Sequence, residues 1–173
     1  MKQYSVSAPQ TGFTIIEMLI AVLVISIGLL GMAGLQTSGI QQSHNSYLKT
    51  QASMPAYDMA DRMRSNLQGV NAGHYDDVDS MDSPVSSAPD CIGNSAACSA
   101  SETATYDVYQ WTDNDAEGSI ASLLPSGYGM IQGNGGVFTI TVLWDEARTG
   151  ATGTDCSTDY TVDLKCFRLE FIP

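Results

Sequence analysis

The chain has 173 residues, with 19 acidic against 7 basic side chains, and a formal charge of −12. An acidic surface of this kind repels nucleic acid and anionic lipid headgroups, so no direct nucleic-acid binding is expected, and it serves solubility. Setting aside an apolar amino-terminal third leaves about a hundred residues, enough for one compact domain of ordinary size.

Residues 1–12 are polar and hold one base, Lys2. They are too short and too polar for a secretory signal peptide, whose apolar stretch precedes its cleavage site. Here the apolar stretch follows. From Met18 to Leu35 there is no charged residue, and nearly every position is Ile, Leu, Val, Met, Ala or Gly. Such a run is long enough to cross a bilayer as a helix. Lys2 and the initiating amine are the only positive charges ahead of it, and no base follows until Lys49, so the positive-inside tendency weakly places the amino terminus in the cytoplasm. One carboxylate, Glu17, stands at the head of the run. A charge there costs about 2.5–3.5 kcal/mol near the bilayer centre and far less at the interface. Gly28, Gly31 and Gly34 recur every third residue. Each costs about 1 kcal/mol relative to Ala in a helix, which leaves two readings: close packing of helices in lipid, or a segment that unwinds.

The helix is expected to continue beyond the membrane. Leu48, Ala52, Ala56, Met59, Met63 and Leu67 recur at three- and four-residue steps and predict one buried stripe. Asp58 and Arg62, four apart, can pair on the outer face. A helix from about 14 to 67 would be roughly 80 Å long, well beyond the thickness of a membrane, so its second half must pack on the rest of the chain. Pro55 predicts a kink or break around 52–55, and the helix should stop near Gly69, with Gly73 as a second stop.

Residues 70–105, rich in Asp, Ser, Pro and Gly, read as loop. The remainder reads as a β-meander. Tyr106–Trp111 alternates weakly, Ile120–Leu124 suits a turn of helix, and Met130–Ile131 is a short strand before a Gly133–Gly136 turn. Val137–Trp144 is the best strand, with Phe138, Ile140 and Val142 on one face and Val137, Thr139, Thr141 and Leu143 on the other. Tyr160–Leu164 and Cys166–Ile172 are the last two strands. The pattern predicts an α+β fold, a long amino-terminal helix packed on a small antiparallel sheet.

Four cysteines, Cys91, Cys98, Cys156 and Cys166, all lie in the carboxy-terminal half. An even number there points to disulfides and an oxidising compartment, with three pairings open. The local one, Cys91–Cys98 with Cys156–Cys166, is preferred because each pair brackets a short turn-rich stretch. Zinc is the rival, but there is no Cys-x-x-Cys, and His44 and His74 are far from any cysteine in sequence. Asp113-Asn114-Asp115-Ala116-Glu117-Gly118 starts like a calcium loop, but its twelfth position is Leu124, where a bidentate Glu is required. It reads as a solvated turn. His74 could be drawn into a hydrolytic triad on paper, but no Gly-x-Ser-x-Gly elbow exists and the surroundings are those of a surface histidine. No enzyme, metal or cofactor is expected.

Gly12-Phe13-Thr14-Ile15-Ile16-Glu17 and the apolar run behind it resemble the amino-terminal signal of type IV pilins and type II secretion pseudopilins. The stretches Ile25–Gln36 and Ala56–Asn66 look most like PilV-type minor pilins. The resemblance covers the first two-fifths of the chain. It implies a leader, 1–12, cut between Gly12 and Phe13 by a prepilin peptidase that then N-methylates Phe13. It implies a transmembrane and assembly helix, 13–35, an amphipathic half, 36–69, and a periplasmic domain, 70–173. In the family the glutamate, here Glu17, is thought to meet the terminal amine of a neighbouring subunit during assembly. That amine is largely positive at neutral pH, its ordinary pKa being about 8. Implied partners are other minor and major pilins and the assembly platform in the inner membrane, which would hold the subunit before it enters a fibre. Major pilins usually carry a proline near the position of Gly34, and this chain does not. Other readings stay open: a minor pseudopilin of a secretion system, a tip adhesin whose loops 70–105 or 145–155 bind a ligand, or a plain signal-anchored periplasmic protein.

Overall fold

The computed structural model describes residues 12–92, 97–113 and 116–173. It divides after Ser43 into two compact units. The described residues of the first unit are Gly12, Phe13 and Thr14 and the first part of helix α1, which runs Ile15–Ser65.

The second unit is built on the remainder of α1. Leu48, Ala52, Pro55, Ala56, Met59, Ala60 and Met63 are buried, the stripe that a 3.6-residue period lays on one face. Pro55 does not break the helix as expected. Its ring is part of the buried stripe, and its carbonyl accepts the indole Nε1–H of Trp111 at 2.9 Å. Only one backbone donor is lost, and the packed residues on either side hold the helix through it. The helix ends at Ser65, because Asn66 leaves helical geometry (φ −117°, ψ 54°) and caps the short helix α2, Leu67–Asn71, by accepting from the Gly69 amide. This change of course takes Leu67 off the stripe. It is exposed, contrary to expectation. At the end of α2 the His74 amide donates to the Gly69 carbonyl and the Gly73 amide to that of Val70, with Gly73 at φ +78°. That is the double bond of a glycine-terminated helix end.

The segment 70–105 is not loop throughout. Asp77–Asp79 forms strand β1, and helix α3 spans Ala100–Thr112. The weak alternation of Tyr106–Trp111 was therefore misleading. A capping box opens α3: the Ser99 hydroxyl accepts from the Glu102 amide, and the Glu102 carboxylate accepts from the Ser99 amide. Ala104, Asp107, Val108 and Trp111 then fall on one buried face at helical spacing. Helix α4, Ile120–Leu123, is the expected single turn, capped by Ser119.

Strands β2 (Tyr128–Asn134), β3 (Val137–Trp144) and β4 (Lys165–Phe171) complete a four-stranded antiparallel sheet in the order β1-β2-β3-β4. β2 and β3 meet in a two-residue turn, Gly135-Gly136, at φ +61° and +88°. Two consecutive left-handed residues match the twist of a hairpin and favour glycine. Tyr160–Leu164 is not the expected strand. Asp159 folds it into a turn, accepting from the amide and hydroxyl of Thr161 through its side chain and from Val162 and Asp163 through its carbonyl. Only an isolated bridge, Gly153 to Asp163, remains.

The core lies between the sheet and the helices. Phe138, Ile140, Val142 and Trp144 of β3 meet Met59 and Met63 of α1, Trp111 of α3 and Ile120 of α4. A smaller cluster of Leu143, Ala151 and Leu164 fills the other face at one end of the sheet. This is a long amino-terminal helix packed against a small antiparallel sheet.

Candidate assembly site

Gly12, Phe13 and Thr14 lie ahead of the helix, and all three are exposed. The Gly12–Phe13 peptide thus lies outside regular secondary structure and is exposed. The amides of Glu17 and Met18 donate to the Thr14 carbonyl at 3.1 and 3.3 Å and close the first turn of α1. Glu17 sits in that turn, where the positive end of the helix dipole favours a carboxylate. Among the described residues its side chain has no hydrogen bond or ion pair.

Every described residue of this first unit is exposed. Every large apolar residue from Phe13 to Leu35 is at least 58% exposed. The most apolar 18-residue window has a mean hydropathy of 2.6, and this is the one helix among the described residues long and apolar enough to cross a membrane. Eighteen residues rise about 27 Å, close to the hydrocarbon thickness of a bilayer. The hydroxyls inside it are hidden on the helix itself: Ser26 donates to the Val22 carbonyl at 2.7 Å and Thr37 to that of Ala33 at 3.0 Å. A Cβ added at Gly28, Gly31 or Gly34 would meet nothing within 4 Å. Nothing among the described residues therefore requires glycine at those positions.

In the second unit the cysteines are joined as Cys91–Cys98 and Cys156–Cys166. The second bond ties strand β4 to the connection that precedes it. Among the described residues no group of three or more His, Cys, Asp or Glu side chains could hold a metal ion. Asn114 and Asp115, of the segment that starts like a calcium loop, lie outside the described residues, as does the leader up to Thr11. His44 and His74 are exposed.

Sequence reasoning missed a polar node between α1 and α3. Arg62 pairs with Asp58 at 2.8 Å, as its spacing predicts, but also reaches Asp107 at 3.4 Å. Asp107 accepts from the hydroxyl of Tyr75 at 2.6 Å. Asn66 donates to the Tyr75 oxygen at 3.1 Å and to the Ala100 carbonyl at 2.8 Å. Burial works to lower the Arg62 pKa, but the hydrogen bonds and charges of Asp58 and Asp107 outweigh it and raise it. Burial, then the bond to Asp107, pushes the Tyr75 phenol well above its ordinary value. The node holds charge in a fixed arrangement, with the Arg62 guanidinium and the Tyr75 hydroxyl both donating to Asp107. One sign of it was available: Asp107 falls on the buried stripe of α3, where a carboxylate needs a partner.

Two family models match adjoining stretches. One, described as a prokaryotic N-terminal methylation motif, covers residues 8–33. The other, described as type IV pilin Tt1218, covers residues 34–109. Comparisons with curated proteins and with solved structures give no match. The two matches meet end to end within helix α1, so the chain is similar to a prokaryotic N-terminal methylation motif over its first part and to type IV pilin Tt1218 over the next.

Proposed function

We propose that the chain is a minor pilin, most like the PilV type, that enters a type IV pilus through α1. The prepilin peptidase cuts between Gly12 and Phe13 and methylates the new amine of Phe13. The helix 13–35 then holds the subunit in the inner membrane, with the domain 70–173 in the periplasm, until the assembly platform passes it into the fibre beside other minor and major pilins. Its work there is structural, in priming assembly or occupying the tip, with consequences for adhesion or twitching motility. The observation that carries this reading is an exposed apolar helix headed by Glu17, which has no partner among the described residues, directly behind Gly12-Phe13. In a medium of low dielectric an unpaired carboxylate is expensive, so the terminal amine of a neighbour is a favourable partner.

The test is Glu17→Ala in cells that make the fibre. The variant should insert and be cut normally, as read by mass spectrometry of the mature amino terminus. Its share in sheared fibres should fall by about tenfold, the ratio that 1.4 kcal/mol commands. Undiminished incorporation would defeat the assignment of Glu17, and retention of the leader in the purified protein would defeat the whole reading. A minor pseudopilin of a type II secretion system has the same signal and helix. Deletion separates the two: loss of pili supports the proposal, and loss of exoprotein secretion with pili intact supports the pseudopilin.

A further inference from the structure

The face of the sheet turned away from the core carries a second feature, independent of the helix. Ile131, Ile140 and Val142 point into the core, so their neighbours along the strands point outward. The pairing aligns these neighbours in two rows. Gln132, Thr139 and Glu170 lie side by side across β2, β3 and β4, and so do Met130, Thr141 and Arg168. Thr154 and Asp155, from the connection before β4, close one side and make the surface a groove of about 400 Å³. That falls within the size range of small-molecule sites, about 300–1,000 Å³.

Thr141 is the informative residue. It is 92% buried, yet no hydrogen bond within the described residues reaches its hydroxyl. The oxygen itself is not sealed: among the described residues the buried side-chain polar atom without a partner is the Trp144 indole nitrogen, so the Thr141 hydroxyl opens to the groove. At the centre of a three-stranded stretch Val would fill the same space with no polar atom to satisfy. The residue lines the groove, so its hydroxyl is free to meet solvent or a bound molecule there. The charges around it are also uncommitted. Among the described residues Arg168 donates to the Cys156 sulfur alone, at 3.2 Å, and neither Asp155 nor Glu170 is in an ion pair.

The chemistry of the lining selects the occupant. Among the described residues the groove has no aromatic ring on which a base could stack, and Met130 is its one apolar contributor. Two carboxylates oppose an anion, and the guanidinium opposes a simple cation. What remains is a dense set of hydrogen-bond groups of both senses: hydroxyls, an amide, carboxylates that accept and a guanidinium that donates. A molecule with several adjacent hydroxyls, each donor and acceptor at once, meets all of them. We propose that this groove binds a neutral saccharide, with Thr141 at its floor and Glu170 and Arg168 engaging neighbouring hydroxyls.

The test uses the full chain in a detergent without a sugar headgroup. Saturation-transfer NMR is run with glucose, galactose, mannose, N-acetylglucosamine and their disaccharides, each to about 10 mM, a range that detects binding as weak as millimolar. N-acetylneuraminic acid and glycine stand as the anionic and zwitterionic comparisons. At least one neutral sugar should bind. Thr141→Val should weaken it about tenfold, while heat stability stays level or rises because no protein bond is lost. Glu170→Gln, at an exposed position, should weaken it as well. Binding of no neutral sugar, preference for either charged comparison, or equal affinity in Thr141→Val and Glu170→Gln would overturn the proposal. The measurement reads the separate subunit, so its failure leaves the fibre reading standing, and failure of the fibre reading leaves the groove standing.

Discussion

Gly129 lies in the middle of strand β2, where Ala would ordinarily be preferred by about 0.5–1 kcal/mol. The structure predicts the opposite sign for Gly129→Ala. A Cβ there would stand 2.5 Å from Cη2 of Trp111 and 2.8 Å from Cδ1 of Ile120, against an optimum of about 3.5–4.0 Å between carbons. Neither neighbour can retreat, since both are buried. The Trp111 ring is also fixed by its bond to the Pro55 carbonyl. Overpacking of this kind costs about 1–3 kcal/mol. Rotating the indole to make room would forfeit that bond, worth about another 1 kcal/mol. The net expectation is a loss of about 2 kcal/mol, which moves the urea midpoint down by about 1 M at an ordinary slope. Tryptophan fluorescence follows the transition, because Trp111 and Trp144 are both buried. Trp111→Phe removes the benzo ring that the new methyl would strike. In that background the cost of Gly129→Ala should shrink by about 1 kcal/mol or more, a coupling that a double-mutant cycle reads directly. Equal or greater stability of Gly129→Ala in the native background would refute the reasoning.

The node around Asp107 gives two further expectations. Asp107→Ala leaves the buried Tyr75 hydroxyl without its acceptor and removes one of the two carboxylates on Arg62. It should cost about 2–4 kcal/mol by urea unfolding, less than a fully buried ion pair would because the Arg62 side chain is 31% exposed, and a loss below about 0.5 kcal/mol would mean the node contributes little. Tyr75, whose folded pKa is raised by burial and by Asp107, makes stability depend on alkaline pH. Its contribution is fully present below the unfolded value of about 10 and is lost as pH climbs from there toward the folded value. Stability should therefore decline above about pH 10, and Tyr75→Phe should remove that part of the decline.

Elements set by short-range chemistry were legible in the sequence. Strict alternation defined β3, a glycine pair defined the hairpin, and the three- and four-residue steps from Leu48 to Met63 defined the buried stripe of α1. Where two local signals competed, the reading went wrong. Tyr106–Trp111 alternates just enough to resemble a strand, but Ser99 and Glu102 cap a helix whose apolar face includes it. Tyr160–Leu164 has strand-forming residues, and Asp159 curls them into a turn. Leu67 has the right spacing for the stripe, but Asn66 spends its side chain on Gly69, Tyr75 and Ala100 and ends the helix before it.

The candidate assembly site and the polar node differ in the same way. Gly12, Phe13 and Glu17 stand within six residues of one another, so the site is a property of the linear chain. The structure adds that nothing among the described residues covers it. Arg62 and Asp107 are 45 residues apart, and Thr141 and Arg168 meet only through the register of β3 and β4. No local rule reaches across such separations. Helix α1 shows the boundary between the two kinds of information within a single element. From Met18 to Leu35 it is apolar on every side, and a helix of that kind asks for lipid or for other helices around its whole circumference. From Leu48 to Met63 it is apolar on one side only, and that side is filled by its own domain. Among the described residues the first half therefore leaves its packing unfinished while the second completes it, which is what the proposed subunit, inserted first and assembled later, would need.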